Sequence, residues 1–274
     1  KKIGIIGCGV MGEALAKAIA KKIDSQNILL FDIDSERAKK LALQLSCKTA
    51  SSNNELVSNV DYLLIAVKPA HVFSLLSDIA HSYFEKKPVI ISIVAGISSE
   101  QIETSLHSSV QTQKNVQIPI IRLMPNVSVL VEEGMIAFSN TNTVNNEDKN
   151  FVLSILEKTG KIEIISETLF DAVTAISGSG PAYGFLFVEA LADAAVLFGI
   201  PRKQAYIYAA QTLKGAAQMV LETKEQPASL KDSVCSPGGT TIEAVKKLEE
   251  KGFRSAIIEA AEAAFNKSKN LTKK

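Results

Sequence analysis

Charge imbalance is missing from this chain, and cysteine and histidine are scarce. Its 274 residues carry thirty basic and twenty-nine acidic side chains. A net charge of +1 offers no field for nucleic acid or an anionic membrane surface, so neither is expected as a partner. Cys8, Cys47 and Cys235 are an odd, widely spaced set without a CxxC. That excludes a zinc ribbon and points to reduced thiols in a cytoplasmic protein. The three histidines, His71, His81 and His107, all fall in the first half at spacings that suggest no metal site, and no metal is expected. Repeats and low-complexity linkers are missing. The first apolar run is too short for a signal-peptide core and leads directly into a folded motif, so no targeting segment is expected. One stretch, Pro181–Gly199, is very apolar, but it carries Glu189 and Asp193. It reads as a helix buried between protein surfaces rather than a membrane span.

What is present is a pattern of short apolar runs. KKIGIIGCGVMGEALAKAIAKK, at the start, reads as a buried strand, a glycine turn and an amphipathic helix. NILLFDID is a second strand, and SERAKKLALQL a helix with Ser35 at its cap. DYLLIAVKP, PVIISIVAG and IPIIRLMPN are three more apolar runs, with helices between them, as at 71–81 and 98–107. Met135–Ser139 and Lys161–Ile165 extend the set. Short buried strands alternating with helices predict a Rossmann-type α/β domain, a parallel sheet with helices on both faces, over residues 1–165. From 166 to 274 no convincing strand remains. Helical patterns run through 167–176, 181–198, 202–223, 241–251 and 253–269, broken at SGSGP, GIP, EQP and SPGG. The second domain is therefore expected to be all-helical.

Gly7-Cys8-Gly9-Val10-Met11-Gly12 is a GxGxxG between a strand and a helix, the context that gives the pattern meaning. Gly7 permits the tight turn, Gly9 lets the backbone approach a pyrophosphate, and Gly12 lets helix and strand pack closely. A purely structural glycine turn is the alternative. Asp32 ends the second strand, where a carboxylate binds adenosine ribose hydroxyls and repels a 2′-phosphate, which leans the cofactor from NADPH towards NADH. Capping the next turn is its other use. Arg37 pulls the opposite way if its guanidinium reaches a 2′-phosphate, and is neutral if it only faces solvent. Ala66, Val67, Lys68 and Pro69 follow the third run, and Ala95 and Asn126 follow the fourth and fifth. In a doubly wound sheet all stand at the ligand crevice, as does Asn53. Each is also an ordinary loop residue.

SGSGPAY, residues 177–183, ends one helix and opens the next, with Pro181 at a first helical position. Ser179 has no histidine near it in sequence to make it a nucleophile. Taken with GCGVMG, AVKP, RLMPN and above all DSVCSPGGTTIEAV followed by KGFR, the chain resembles pyrroline-5-carboxylate reductase from end to end. The last stretch is highly specific. Ser233 stands where the family often has a larger polar side chain, and Cys235 where a hydroxyl residue is common.

That resemblance implies hydride delivery from NADPH or NADH to the C=N carbon of 1-pyrroline-5-carboxylate, giving L-proline, the last step of proline biosynthesis. It implies a helical domain that forms a homodimer, with each active site using both chains, and in some members a ring of dimers. Thr241 becomes the expected catalytic residue, its hydroxyl on the ring nitrogen. Ser236, Gly238, Gly239 and Thr240 are expected around the substrate carboxylate. Glu167 is expected near the ring nitrogen's proton, and Ser233 beside the cofactor. Capping of the helix by Ser236 or Thr241 is the structural alternative for those two, and favourable interaction with the helix dipole for Glu167. An imine needs no histidine, because it can arrive already protonated near neutral pH. A β-hydroxyacid dehydrogenase has a similar architecture but uses a lysine a few residues after its own glycine-rich segment, and Tyr183–Phe187 offers none. A non-catalytic dinucleotide sensor is the remaining alternative, against which the intact SPGGTT argues.

Overall fold

The strands are short because each apolar run is short, and the central ones, Ile3–Ile6, Tyr62–Ile65, Val89–Ser92 and Ile120–Pro125, are buried on both faces because their runs do not alternate. The computed structural model describes residues 1–110 and 116–271. Residues 111–115 of the expected first domain and 272–274 of the expected second lie outside the described residues. Eight strands form one sheet in the order β3-β2-β1-β4-β5-β6-β7-β8. They are β1 (Ile3–Ile6), β2 (Ile28–Phe31), β3 (Lys48–Thr49), β4 (Tyr62–Ile65), β5 (Val89–Ser92), β6 (Ile120–Pro125), β7 (Gly134–Asn140) and β8 (Gly160–Ile164). The first six have the 3-2-1-4-5-6 order of a dinucleotide-binding sheet. Strand periodicity then splits the core. Ile3, Ile5 and Leu64 join the cluster on one face, while Ile6, Leu63 and Ile65 join the cluster on the other.

The helices that cover the sheet are α1 (Val10–Ala20), α2 (Ser35–Leu45), α3 (Asn53–Ser58), α4 (Val72–Lys86), α5 (Ser99–Ser109) and α6 (Asn146–Leu156). The cap of α2 is Asp34, whose side chain accepts from the Arg37 amide, rather than the expected Ser35, which is the first helical residue. Aspartate takes the position because its carboxylate reaches the third amide of the helix from extended backbone. Ser98 and Gln101 form a reciprocal capping box on α5.

The sheet is parallel as expected through β6 and then reverses. β7 runs antiparallel to β6, with Leu123 opposite Phe138, and β8 is parallel to β7. The connection over 126–133 holds only a 3₁₀ turn, Val127–Val131. It is too short for the crossover that a parallel neighbour requires.

Beyond β8 the described chain is helical: α7 (Phe170–Val173), α8 (Gly180–Leu197), α9 (Arg202–Thr223), α10 (Pro227–Ser233), α11 (Thr240–Glu250) and α12 (Phe253–Leu271). The single helix expected over 167–176 is three pieces, a 3₁₀ turn, α7, and a π-helical turn at Thr174–Gly178. By packing, the chain forms two compact units, Lys1–Gly178 with Phe265–Lys274, and Ser179–Ala264. Within the second, a small core of Ala192, Ala205 and Ala209 joins α8 to α9. Much of α8 is bare: Phe185 and Leu186 are each 67% exposed. The helical run Glu167–Leu197 is long and apolar enough to cross a membrane by length and composition, yet 6% of its most apolar window is buried within the chain.

Candidate active site

A tight glycine loop sets the geometry at the C-terminal end of β1. Gly7 has φ of +99°, and a Cβ there would lie 2.6 Å from the Ala66 carbonyl oxygen. A Cβ on Gly12 would come within 2.0 Å of the Gly7 carbonyl. Neither position admits a side chain. A Cβ on Gly9, by contrast, would meet nothing within 4 Å, so the N-cap of α1 faces open space. The free amides and positive dipole end of α1 are thus available to an anion.

Beside the loop lies a cleft of about 510 Å³. Of the expected cofactor residues, Gly7, Gly9, Asp32, Asn53, Ala66, Val67 and Lys68 line it together, with Arg37. Cys8, within the loop, has its side chain buried, and burial pushes its thiol up to about 12, leaving it neutral. Asp32 is almost covered, its side chain 7% exposed. Oδ2 accepts the Cys8 amide at 2.6 Å and Oδ1 accepts the Asp34 amide at 2.9 Å. Arg37 Nη1 is 4.0 Å from Asp32, and Nη2 is 3.6 Å from Asp34. Its charge is therefore shared between two carboxylates.

Sequence reasoning missed the far wall. His71, Ser74, Leu75 and Asp78 of the segment leading into and along α4 line the same cleft. Their spacing of i, i+3, i+4 and i+7 is a helix face, and was legible only as generic amphipathicity. Asn53 Nδ2 donates to Asp78 Oδ2 at 2.8 Å, which leaves Asn53 Oδ1 buried without a partner. An open helix start, a fitted glycine loop and an orphaned acceptor suit a dinucleotide.

The remaining expected residues of this unit are not among those that line that cleft. Met11, Val10 and Gly12 belong to the start of α1, and Pro69 opens the 3₁₀ turn after β4. Ala95 and Asn126 follow β5 and β6. Asn126 accepts the Met135 amide at 3.1 Å and donates to Ser177 at 3.4 Å, bringing RLMPN to SGSGP. Glu167 lines a different, polar cleft with Ser99 and Ser166. Its Oε1 accepts from Arg122 at 2.8 Å and from the Ser99 amide at 2.7 Å, and its Oε2 accepts from the Ser99 hydroxyl. Burial pushes this carboxyl up, but the bonds from Arg122 and Ser99 outweigh it and hold the group below the usual carboxylate range.

In the helical unit, Ser236 to Thr241 lead into α11. Gly238 has φ of +68°, and Gly239 is the N-cap, its amide donating to the Ser236 carbonyl at 3.0 Å. A Cβ on Gly239 would sit 2.4 Å from Ser236 Oγ. A glycine N-cap has no side chain to give, so neither Ser236 nor Thr241 occupies the N-cap, and the first-turn amides of α11 carry no N-cap side chain. Ser236, Gly238 and Thr240 are exposed, while Gly239 and Thr241 are half-buried. Ser233 donates to the Leu230 carbonyl at 2.7 Å. Among the described residues no group of histidine, cysteine or carboxylate side chains could hold a metal ion.

Similarity to known proteins covers the whole chain. A family model described as pyrroline-5-carboxylate reductase dimerisation matches residues 167–271, and one described as NADP oxidoreductase, coenzyme F420-dependent, matches residues 2–96. The pyrroline-5-carboxylate reductase of Escherichia coli (strain K12) is 43% identical over 275 residues, spanning 100% of this chain and 99% of that protein. The crystal structure of Plasmodium falciparum pyrroline carboxylate reductase with NADP bound superposes with a TM-score of 0.86 at 34% identity, covering 99% of this chain and 98% of the other. The Coxiella burnetii pyrroline-5-carboxylate reductase superposes with a TM-score of 0.89 at 32% identity, covering 100% and 99%.

Proposed function

The chain belongs to the pyrroline-5-carboxylate reductase family, and we propose on that footing that it reduces 1-pyrroline-5-carboxylate to L-proline with NAD(P)H. The observation that carries this reading is the start of α11, a helix with no N-cap side chain and two glycines before it. A small carboxylate is the ligand that such a terminus takes.

The dinucleotide, when bound, supplies the hydride. The chain's own residues do the rest. Gly7 to Gly12 receive the pyrophosphate, with Cys8, Val10 and Met11 contributing loop and helix backbone. Asn53, Ala66, Val67, Lys68, Pro69, Ala95, Asn126 and Ser233 border the cofactor. Asp32 keeps two of its lone-pair directions for ribose hydroxyls, and Arg37 is drawn towards the carboxylates of Asp32 and Asp34. Two carboxylates against one guanidinium weigh against a 2′-phosphate and lean the choice between NADPH and NADH towards NADH. Amides of α11 with Ser236, Gly238, Gly239 and Thr240 hold the substrate carboxylate. Thr241 orients the ring through its nitrogen, and Glu167 stands near the proton on that nitrogen. No side chain has to protonate an alkoxide, because the substrate arrives as an iminium and leaves as an amine. Positioning then supplies most of the acceleration.

We assign residues 1–165 to cofactor binding and 166–274 to substrate binding and dimerisation. Homodimerisation through the helical domain fits the bare face of α8. A ring of dimers is the larger assembly that the resemblance implies for some members, and the cytoplasm is the compartment that suits three free thiols.

The test follows NAD(P)H absorbance with 1-pyrroline-5-carboxylate and then with β-hydroxyacids and oxidised cofactor. Imine-dependent oxidation with no hydroxyacid activity is the expected result. Hydroxyacid-dependent reduction, or cofactor binding without turnover, would overturn it.

A further inference from the structure

Arg122 lies on β6 opposite Ser92 of β5, and 5% of it is exposed. A buried guanidinium is costly unless its charge and donors are answered. Nη1 donates to Glu167 at 2.8 Å, Nη2 donates to the Val94 carbonyl at 2.8 Å, and the group lies 5.1 Å from the centre of the Phe170 ring. Glu167 in turn receives the amide and hydroxyl of Ser99. One ion pair therefore grips the bend between β5 and α5 at both ends, at Val94 and at Ser99. The bend itself, 93–98, is neither helix nor strand, and it turns on Gly96 with φ of +73°.

Ion pairs of this kind are poor devices for stability, since apolar side chains of the same volume do as well. What they do well is fix geometry. β5 lies past the switch between β1 and β4, on the side of a 3-2-1-4-5-6 sheet where the nicotinamide half of a dinucleotide rests. We propose that Arg122, oriented by Glu167, is a positioning residue for hydride transfer, setting the backbone at Ala95 and Gly96 against which the nicotinamide lies. This rests on the reading that Ala95 borders the cofactor. It gives Glu167 a task that needs no contact with substrate.

The experiment compares Arg122→Lys, Glu167→Gln and Ser99→Ala with the wild type. A lysine keeps the charge but cannot donate in two directions from a planar fork. Four quantities are read: kcat, the isotope effect on kcat with cofactor deuterated at the transferred position, melting temperature, and inhibition by ADP-ribose, which lacks the nicotinamide. In Arg122→Lys and Glu167→Gln, kcat is expected to fall about tenfold, as for a small displacement of reacting groups. The isotope effect rises while ADP-ribose affinity holds; the melting temperature, which a weakened buried pair lowers, is read to establish that each variant is folded at the assay temperature. Ser99→Ala, which removes one bond at the edge of the network, moves the same two kinetic quantities less and keeps the test decisive if the buried variants do not fold. Folded variants with unchanged kcat and isotope effect would overturn the proposal, as would a parallel loss of ADP-ribose affinity. A loss confined to KM for 1-pyrroline-5-carboxylate would also overturn it and make Glu167 a substrate ligand. A wild type inactive on the imine would defeat the functional reading instead, a separate outcome.

Discussion

The Cys8 amide donates a 2.6 Å hydrogen bond to the carboxylate of Asp32, so one side chain fastens the glycine loop and also forms the wall of the cleft beside it. Asp32→Ala is then expected to do two things. Both cofactors bind more weakly because the loop loses its brace. The ratio of kcat/KM for NADPH to that for NADH rises on the order of tenfold, as for about 1.4 kcal/mol of relieved repulsion. Steady-state kinetics with both cofactors read this, and an unchanged ratio means that Asp32 does not select.

Thr241→Ala removes a hydroxyl from the second position of α11 without touching the glycines that shape the turn. We expect kcat/KM to fall roughly ten- to hundredfold, the worth of a hydrogen bond to a charged group, about 1.5–3 kcal/mol. Circular dichroism and NADH binding should not change. Unaltered kcat/KM takes the threonine out of the mechanism.

Acid should erode the contribution of Glu167. Its carboxyl sits below the ordinary range in the folded chain, because the bonds from Arg122 and Ser99 outweigh burial. Stability from such a group is complete above the unfolded value of about 4.3 and is lost as pH falls through the lower folded value. The difference in melting temperature between wild type and Glu167→Gln should therefore narrow with falling pH. A difference that stays constant or widens contradicts that sign.

Leu186→Glu places a charge on the bare side of α8. In a two-fold pair the change is felt twice. Each buried leucine is worth about 1.5–3 kcal/mol, so the assembly should dissociate to monomers by light scattering at micromolar concentration. A dimer of undiminished stability would move the interface elsewhere.

Much of this was readable from the chain alone, for physical reasons. Strands buried on both faces leave continuous apolar runs, so β1, β4, β5 and β6 are plain in the sequence, and β2 is as apolar though only one of its faces is fully buried. β3, two exposed residues, leaves no such trace. The reversal at β7 was legible only through the shortness of 126–133, which periodicity does not measure. The glycine loop announces itself because its chemistry is backbone and its residues are contiguous. Asp78 does not, since it enters the cleft only through the helix face shared with His71 and Ser74. The grip of Arg122 on Val94 and Glu167 spans three segments distant in sequence, and no local pattern foretells it. Of Glu167 the sequence offers only an acidic helix start, and its bonds to Arg122 and Ser99 leave no local trace.

The α11 terminus has a further consequence. In the proposed function its amides hold the substrate carboxylate, and imine and amine carry the same one. The grip therefore holds starting material and product alike, lowering the concentration at which the enzyme fills without favouring the crossing between them. Preference for the reacting state has to come from groups that sense the flat, charged ring, and L-proline at high concentration should linger in the place its precursor needs.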